Sequence, residues 1–336
     1  MHRPAYRPES LQKSVNYRST AQLAHLVASN IHRIPRNVDV IAGIPRSGLL
    51  AGNLIALAVN KPLTDVDGLC EGRFLAAGDS RMTADLRQVF SPASCKTALI
   101  VDDSVASGRS MESARTKLEA ARLPYHLIYC AIFVTRQTRM QVDLYFEVCP
   151  IPRMFEWNFI HHPYLAECCV DLDGVICLSP PRVPPQAGFT GHARPRFLPT
   201  QRIGCIVTSR SERCRGEVEE WLRVHEVKYD ELAMLNVRDA QGKGTPSMHG
   251  RFMAEVFRES PAALFIENDR HLAMEIAYLS GKHALCVDTQ ELFAPNLLTT
   301  AGATQQSLRL SRSIVGRLRR LMFPRIGTAA WDRRFG

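Results

Sequence analysis

Two neighbouring carboxylates, Asp102 and Asp103, stand between an apolar run and a loop of small residues in Ala98-Leu-Ile-Val-Asp-Asp-Ser-Val-Ala-Ser-Gly-Arg-Ser-Met111. Thr97 to Val101 reads as a buried strand, an unbroken run of β-formers and small apolar residues. Beyond Gly108, the residues Met111, Ala114, Leu118 and Ala121 keep helical spacing. A strand that turns through Ser107-Gly108-Arg109-Ser110 into a helix presents unpaired N–H groups and the positive end of a dipole. Both favour phosphate. The acids lie one loop away, where they can hold sugar hydroxyls or Mg2+, so the segment as a whole suits a ribose phosphate. The same residue types also serve plainer ends: acids after a strand cap the next helix, and Ser-Gly is ordinary turn chemistry.

Upstream, Val38-Asp-Val-Ile-Ala-Gly-Ile-Pro-Arg-Ser-Gly-Leu-Leu-Ala51 repeats the order of strand, turn and helix. Gly43 and Gly48 flank this turn and permit positive φ or close backbone approach, as an anion-binding turn requires. A simple βα turn with an exposed arginine is the other reading. In this order, the two segments resemble the signature of type I phosphoribosyltransferases, which bind 5-phosphoribosyl 1-pyrophosphate (PRPP). The resemblance implies that Asp102 and Asp103 bind the ribose 2- and 3-hydroxyls. It implies that Ala106, Ser107, Gly108, Arg109 and Ser110 bind the 5-phosphate, although Arg109 replaces the small residue more usual there. Arg46, Ser47 and Gly48, in the loop from Ile44 to Gly48, would then face the pyrophosphate. Between the two segments, Cys70 to Pro92 is polar and carries Gly72, Gly78, Arg73, Arg81 and Arg87. By resemblance this is a hood that closes over the site and excludes water from an oxocarbenium-like transition state. An ordinary surface excursion accounts for it equally well.

The second half of the chain carries another acidic pattern, Cys169-Val-Asp-Leu-Asp-Gly-Val-Ile176. On a plain strand Asp171 and Asp173 point the same way, and Gly174 lets the chain turn at once. One carboxylate can attack a phosphoryl group while the other handles the leaving-group proton, both beside Mg2+. An EF-hand loop is excluded because the later ligands and the closing glutamate are missing. Ile203-Gly-Cys-Ile-Val-Thr-Ser-Arg210 reads as a strand ending in hydroxyls, and Ala263-Leu-Phe-Ile-Glu-Asn-Asp269 as one ending in acids before a helix with Ala273, Ile276 and Ala277. Over roughly residues 166 to 290 this order resembles the haloacid-dehalogenase-like (HAD) hydrolases. The resemblance implies Asp171 as nucleophile and Asp173 as general acid/base. It places Thr208 and Ser209 on phosphate, and Asp171, Asp173, Glu267 and Asp269 around Mg2+. Thr208 as a simple strand end and Asp269 as a helix cap are the plainer readings. Two departures stand out. The family's phosphate-binding lysine before the last acidic strand is not found on the helix around His249 to Val256, which offers Arg251 and Met253; Lys243, in Gln-Gly-Lys-Gly, is the lysine nearby that the resemblance would place on phosphate, a solvated loop lysine being the plainer reading. Glu267 stands where aspartate is common.

These patterns predict an α/β protein of two domains. Residues 1–160 would form a type I phosphoribosyltransferase-like parallel sheet with its hood, and residues 161–300 a HAD-like Rossmannoid sheet, with sites at strand C-terminal ends. Cys130-Ala-Ile-Phe-Val134 reads as the closing strand of the first sheet. The proline-rich stretch from Pro150 to Pro163 reads as the junction, its large side chains packed between domains. The length of 336 residues suits two domains. No run approaches a membrane span, the polar N-terminus lacks the apolar core of a secretion signal, and the ten cysteines show no CxxC pair. Reduced thiols in a cytoplasmic protein are the expectation. The tail, residues 301–336, places Leu308, Leu310, Ile314, Leu318 and Leu321 near one helical face and arginines around the rest. It suits an anionic surface, an acidic partner, or a docked helix with a solvated basic face.

The net charge of +9 comes in good part from that tail, and no nucleic-acid signature accompanies it. The implied activity is transfer of a phosphoribosyl group from PRPP, with Mg2+, to a small nucleobase-like acceptor, with release of pyrophosphate. A HAD-like step would then dephosphorylate the product. Family resemblance also implies a homodimer. Two other functions stay open: a regulatory protein that binds PRPP without turnover, and a HAD phosphatase whose first domain only selects substrate.

Overall fold

The computed structural model describes residues 15–75, 95–178, 193–236 and 246–295. The segment 76–94 of the expected hood (with Gly78, Arg81 and Arg87), Lys243, and the tail 301–336 lie outside the described residues. The chain divides into two compact units, Met1–Leu165 and Ala166–Gly336.

In the first unit, β1 (Asn16–Arg18) leads into α1 (Thr20–Asn30) through a capping box. Ser19 Oγ accepts the Gln22 N–H at 3.1 Å and Gln22 Oε1 accepts the Ser19 N–H at 2.8 Å, so the first turn is satisfied reciprocally. Then follow β2 (Val40–Gly43), α2 (Ser47–Val59), β3 (Leu63–Asp65), α3 (Val66–Cys70), β4 (Thr97–Val105), α4 (Arg109–Ala120), β5 (His126–Val134), β6 (Leu144–Val148) and β7 (Arg153–Phe155). The main sheet is wholly parallel in the order β3-β2-β4-β5-β6. Its central strands are buried on both faces, which is why they read as continuous apolar runs.

Alternation along these strands builds two cores. Ile41, Leu99, Val101 and Ile132 pack with Leu23 and Val27 of α1 and with Ala51 and Ile55 of α2. Val40, Ala42, Ala98 and Ile100 pack on the other face with Met111, Ala114 and Leu118 of α4. The chain thus leaves β2 over one face toward β3 and leaves β4 over the opposite face toward β5. The two adjacent strands diverge at their C-terminal ends and open a crevice there.

Three expectations need correction in this unit. β4 does not stop at Val101. Its pairing with β5 continues to Val105↔Val134, so Asp102 and Asp103 lie inside the strand. β5 is not the closing strand, because β6 pairs outside it. The stretch from Pro150 to Pro163 lies in the first unit, where its three residues Arg153–Phe155 pair in parallel with β1 as a separate two-stranded sheet.

The second unit contains β8 (Cys168–Asp171), β9 (Cys177–Leu178), β10 (Arg194–Pro195), β11 (Ile203–Ser211), α5 (Arg215–Val224), β12 (Tyr229–Leu235), α6 (Pro246–Glu259), β13 (Leu264–Glu267), α7 (Arg270–Ser280), β14 (His283–Cys286) and β15 (Glu291–Phe293). The sheet order is β12-β11-β8-β13-β14-β15, parallel except for β15 at one edge. β9 and β10 form a short antiparallel pair. β8 ends at Asp171, and the chain then turns, so Asp173 does not share a plain strand with Asp171 as the spacing suggests. Phe257, Met253, Ala273 and Ile276 cover Cys169, Val207 and Phe265 on one face. The ten cysteines are present as thiols, and nine of them are buried, Cys70 being the exception.

Gly48 shows how closely α2 approaches β4. Its φ is ordinary, and what it supplies is room: a Cβ there would lie 2.6 Å from the Val101 carbonyl oxygen and 3.1 Å from Asp102 Cα, both backbone atoms. Gly48→Ala is therefore expected to destabilise the first unit by about 1–3 kcal/mol, the range for overpacking a filled site. Urea unfolding followed by circular dichroism would reveal a lower midpoint for that unit.

Candidate functional site

The crevice of the first unit is bounded by the loops that follow β2 and β4. The Ile44 N–H donates to the Val101 carbonyl at 2.8 Å, which ties the first loop to the strand bearing the acids. Pro45 and Arg46 are exposed, Ser47 is half-buried, and Gly48 is buried against Asp102. On the other side, Ala106, Ser107, Arg109 and Ser110 are exposed. Gly108 has φ +86°, a left-handed conformation that favours glycine, and its Cα faces the Gln141 side chain with no space for a Cβ. Neither α2 nor α4 has a side-chain N-cap, whereas Ser19, Asp65 and Asp269 cap α1, α3 and α7. The Arg109 N–H reaches Ser107 Oγ only at 3.5 Å and the Leu49 N–H donates to the Arg46 carbonyl, so the Ser47, Gly48 and Ser110 N–H groups are the ones positioned for another acceptor. A cleft of about 590 Å³ adjoins both loops, lined by Ile44, Pro45, Ser107 and Arg109 and, on its other side, by Val66 and Asp67 of α3, while Asp102 and Asp103 do not line it. Lys117, paired with Asp67, lines it too.

Asp102 and Asp103 are 6% and 3% exposed. Asp102 Oδ1 accepts the Asp103 N–H at 2.9 Å, and Asp103 Oδ2 accepts the Trp157 indole N–H at 2.8 Å. Burial, reinforced by the charge of Asp103, pushes the Asp102 carboxyl up to about 8. No ion pair reaches either acid among the described residues. Arg153, 6% exposed, has its guanidinium 5.3 Å from the Phe155 ring centre. Burial lowers its pKa against the opposing pull of Cys149, Asp103 and Asp102. Sequence reading assigned no role to Trp157 or Arg153. The cluster of large side chains after Pro152 was the available signal.

The second unit gathers Asp171, Asp173, Thr208 and Glu267 at the C-terminal ends of β8, β11 and β13. Asp171 Oδ1 and Glu267 Oε2 are buried with no hydrogen-bond partner. Burial, then the charges of Glu267 and Asp173, raises the Asp171 carboxyl well above the ordinary range. Burial likewise pushes Glu267 up to about 7, against the N–H groups of Asp269 and Asn268 that favour its charge.

Asp173 is engaged differently. Arg210, assigned no role from sequence, grips its carboxylate through Nε and Nη2 at 2.6–3.1 Å, and Thr208 Oγ1 donates to it at 3.0 Å. Asp269 is exposed, and its Oδ1 accepts the Leu272 N–H at 2.9 Å as the cap of α7. Ser209 is half-buried on β11, Met253 is core, and Arg251 is exposed on α6.

No group of three or more His, Cys, Asp or Glu gathers as a metal site among the described residues. Mg2+ needs fewer, since it commonly takes one or two carboxylates and completes its shell with water and substrate phosphate. The two orphaned oxygens of Asp171 and Glu267 suit such an ion, while Asp173 and Asp269 already have other partners.

The Asp102 shift carries a pH dependence. Its folded pKa lies above the unfolded value of about 4. Its contribution to stability is therefore fully present below about pH 4 and lost as pH rises through about 8. Asp102→Asn removes that loss. The variant is expected to match wild type near pH 3.5 and to exceed it by a few kcal/mol near pH 8.5, read from urea midpoints at both pH values.

A comparison with protein families finds a match over the first unit. Residues 16–166 match the family described as "Phosphoribosyl transferase domain". Similar solved structures include the xanthine-guanine-hypoxanthine phosphoribosyltransferase of Helicobacter pylori, at 14% identity and TM-score 0.31, covering 43% of this chain and 91% of that one. Another is a purine phosphoribosyltransferase of Pyrococcus horikoshii, at 17% identity and TM-score 0.31, covering 43% of this chain and 94% of that one. No curated protein matches the chain. Among the described residues no helix is long and apolar enough to cross a membrane. The first unit of this chain carries a phosphoribosyl transferase domain.

Proposed function

We propose that the first unit transfers the phosphoribosyl group of PRPP to a small nucleobase-like acceptor. The observation that carries this reading is the crevice between β2 and β4, where two loops with open helix N-termini flank two buried acids. In this reading Ser107, Gly108, Arg109 and Ser110 hold the 5-phosphate, with Ala106 shaping the start of their loop. Asp102 and Asp103 accept hydrogen bonds from the ribose hydroxyls. Arg46 and the N–H groups of Ser47 and Gly48 face the pyrophosphate. An acceptor nitrogen attacks C1 of the ribose, the C1–oxygen bond to pyrophosphate breaks, and the bond electrons leave with that oxygen. Mg2+ bound with the pyrophosphate, alongside Asp102 and Asp103, would supply charge neutralisation for the leaving group. The protein's own contribution is position and charge, because both phosphate ends are fixed while C1 is left accessible.

The second unit is read as a HAD-like phosphohydrolase that removes the product's phosphate. Support comes from the sheet order, with Asp171 at the end of a central strand beside Glu267, and from the two orphaned acid oxygens. Asp171 would attack phosphorus while the P–O bond to the product's sugar oxygen breaks and that oxygen takes a proton from Asp173; water would then cleave the aspartyl phosphate, giving inorganic phosphate and restoring the Asp171 carboxylate. Thr208 and Ser209 would contact the phosphoryl oxygens. Asp173 would serve as acid/base only after Arg210 releases it. Asp269 would reach a metal only by giving up its cap.

The full chain with PRPP, Mg2+ and a panel of acceptors, followed by mass detection, separates the readings. Transfer predicts pyrophosphate together with a phosphoribosylated product, and Asp102→Asn/Asp103→Asn lowers kcat/KM by about two orders of magnitude or more. Coupling predicts that inorganic phosphate follows and that Asp171→Asn stops it while pyrophosphate release continues. Tight PRPP binding without release across the panel favours the regulatory protein. Phosphate release that survives the double substitution favours the phosphatase.

A further inference from the structure

We infer that Trp157 is a positioning residue of the PRPP site, holding the Asp103 carboxylate through its indole N–H; this rests on the PRPP reading above. The hydrogen bond is 2.8 Å long and joins residues 54 positions apart, so it is a feature of the tertiary fold rather than of a local turn. Its geometry is fixed from behind. The Trp157 and Phe155 rings stack at 4.8 Å with only 5° between their planes, and Phe155 stacks on Phe133 at 5.1 Å. Phe133 belongs to β5 and is fully buried, and Phe155 belongs to β7, which is paired with β1. A side chain with two rotatable bonds, clamped in such a stack, loses little further freedom when it donates.

The chemistry of the donor matters as much as its rigidity. An indole N–H donates and cannot accept, so it fixes one oxygen of Asp103, and the remaining acceptor capacity is shared between the neighbouring Asp102 carboxyl and a ligand hydroxyl. No lysine or arginine pairs with Asp103 among the described residues. An ammonium or guanidinium there would draw the carboxylate into an ion pair and compete with the sugar. The indole orients the acid without adding a charge.

The test is a double-mutant cycle on the full chain, with PRPP and Mg2+ as the probe and calorimetry as the readout. Wild type must first bind PRPP; if it does not, the parent reading fails and the cycle is not needed to reject it. Trp157→Phe keeps a ring for the stack and removes the donor. It is expected to weaken PRPP binding about tenfold or more, raising the KM for PRPP while the KM for acceptor stays within about twofold. In an Asp103→Asn background the same substitution is expected to cost less than about twofold, because its effect passes through Asp103. Unchanged binding by Trp157→Phe, or an equal loss in both backgrounds, overturns the inference. Should Trp157→Phe unfold, the wild-type protein supplies the readout. With 15N-labelled tryptophan, the Trp157 indole resonance, assigned by Trp221→Phe and Trp331→Phe, should move with Asp103→Asn and with added PRPP. A resonance insensitive to both overturns the inference.

Discussion

The divergence of two adjacent parallel strands governs the first unit. Each parallel crossover is right-handed, so a chain moving left from β2 and right from β4 must cover opposite faces. The C-terminal ends of β2 and β4 are then a place where two neighbouring strands send their following helices to opposite faces. Everything chemically useful gathers there: two loops, two helix N-termini without side-chain caps, and two acids. The site is therefore a consequence of strand order. Gly48 is the local condition for it, because α2 begins against the backbone of the very strand that carries Asp102.

Keeping Asp102 inside a buried strand is costly, since desolvation and the neighbouring Asp103 both oppose its charged form. An ordinary core would replace such residues or pair them with a cation. Here Asp102 has the Asp103 N–H and Asp103 has an indole N–H, and neither has an ion pair among the described residues. Acids held this way retain acceptor capacity for a ligand. Perturbed carboxylates in a cleft are a common mark of functional sites, and here the mark coincides with the crevice and the matched family.

Much of this was legible in sequence for a physical reason. β2, β4, β8, β11 and β13 are buried on both faces, so their apolar runs are unbroken, and the residues at their ends stand out against that background. What escaped was non-local or short. β7 has only three residues between prolines and exists because β1 lies beside it. β15 is a three-residue edge strand with no such apolar run. The Trp157–Asp103 bond spans 54 residues, and no periodicity encodes it. The Asp-x-Asp spacing misled in a different way. A period of two would point both acids alike, yet β8 stops at Asp171 and the turn carries Asp173 to Arg210.

The two units thus treat their acids in opposite manners. In the first, a neutral indole N–H donates to one oxygen of Asp103 and no ion pair reaches either acid among the described residues. In the second, a guanidinium fork and a hydroxyl saturate Asp173, while Asp171 and Glu267 keep orphaned oxygens deeper at the strand ends. A forked arginine–carboxylate pair is strong because both hydrogen bonds are charge-assisted and geometrically matched. Only a ligand that offers Arg210 an equivalent anion can release Asp173 at little cost, and a phosphoryl group has the right charge and oxygen spacing. Binding of a phosphorylated substrate and liberation of the acid would then be a single event. The first unit has no such requirement: its acids already stand with acceptor capacity to spare.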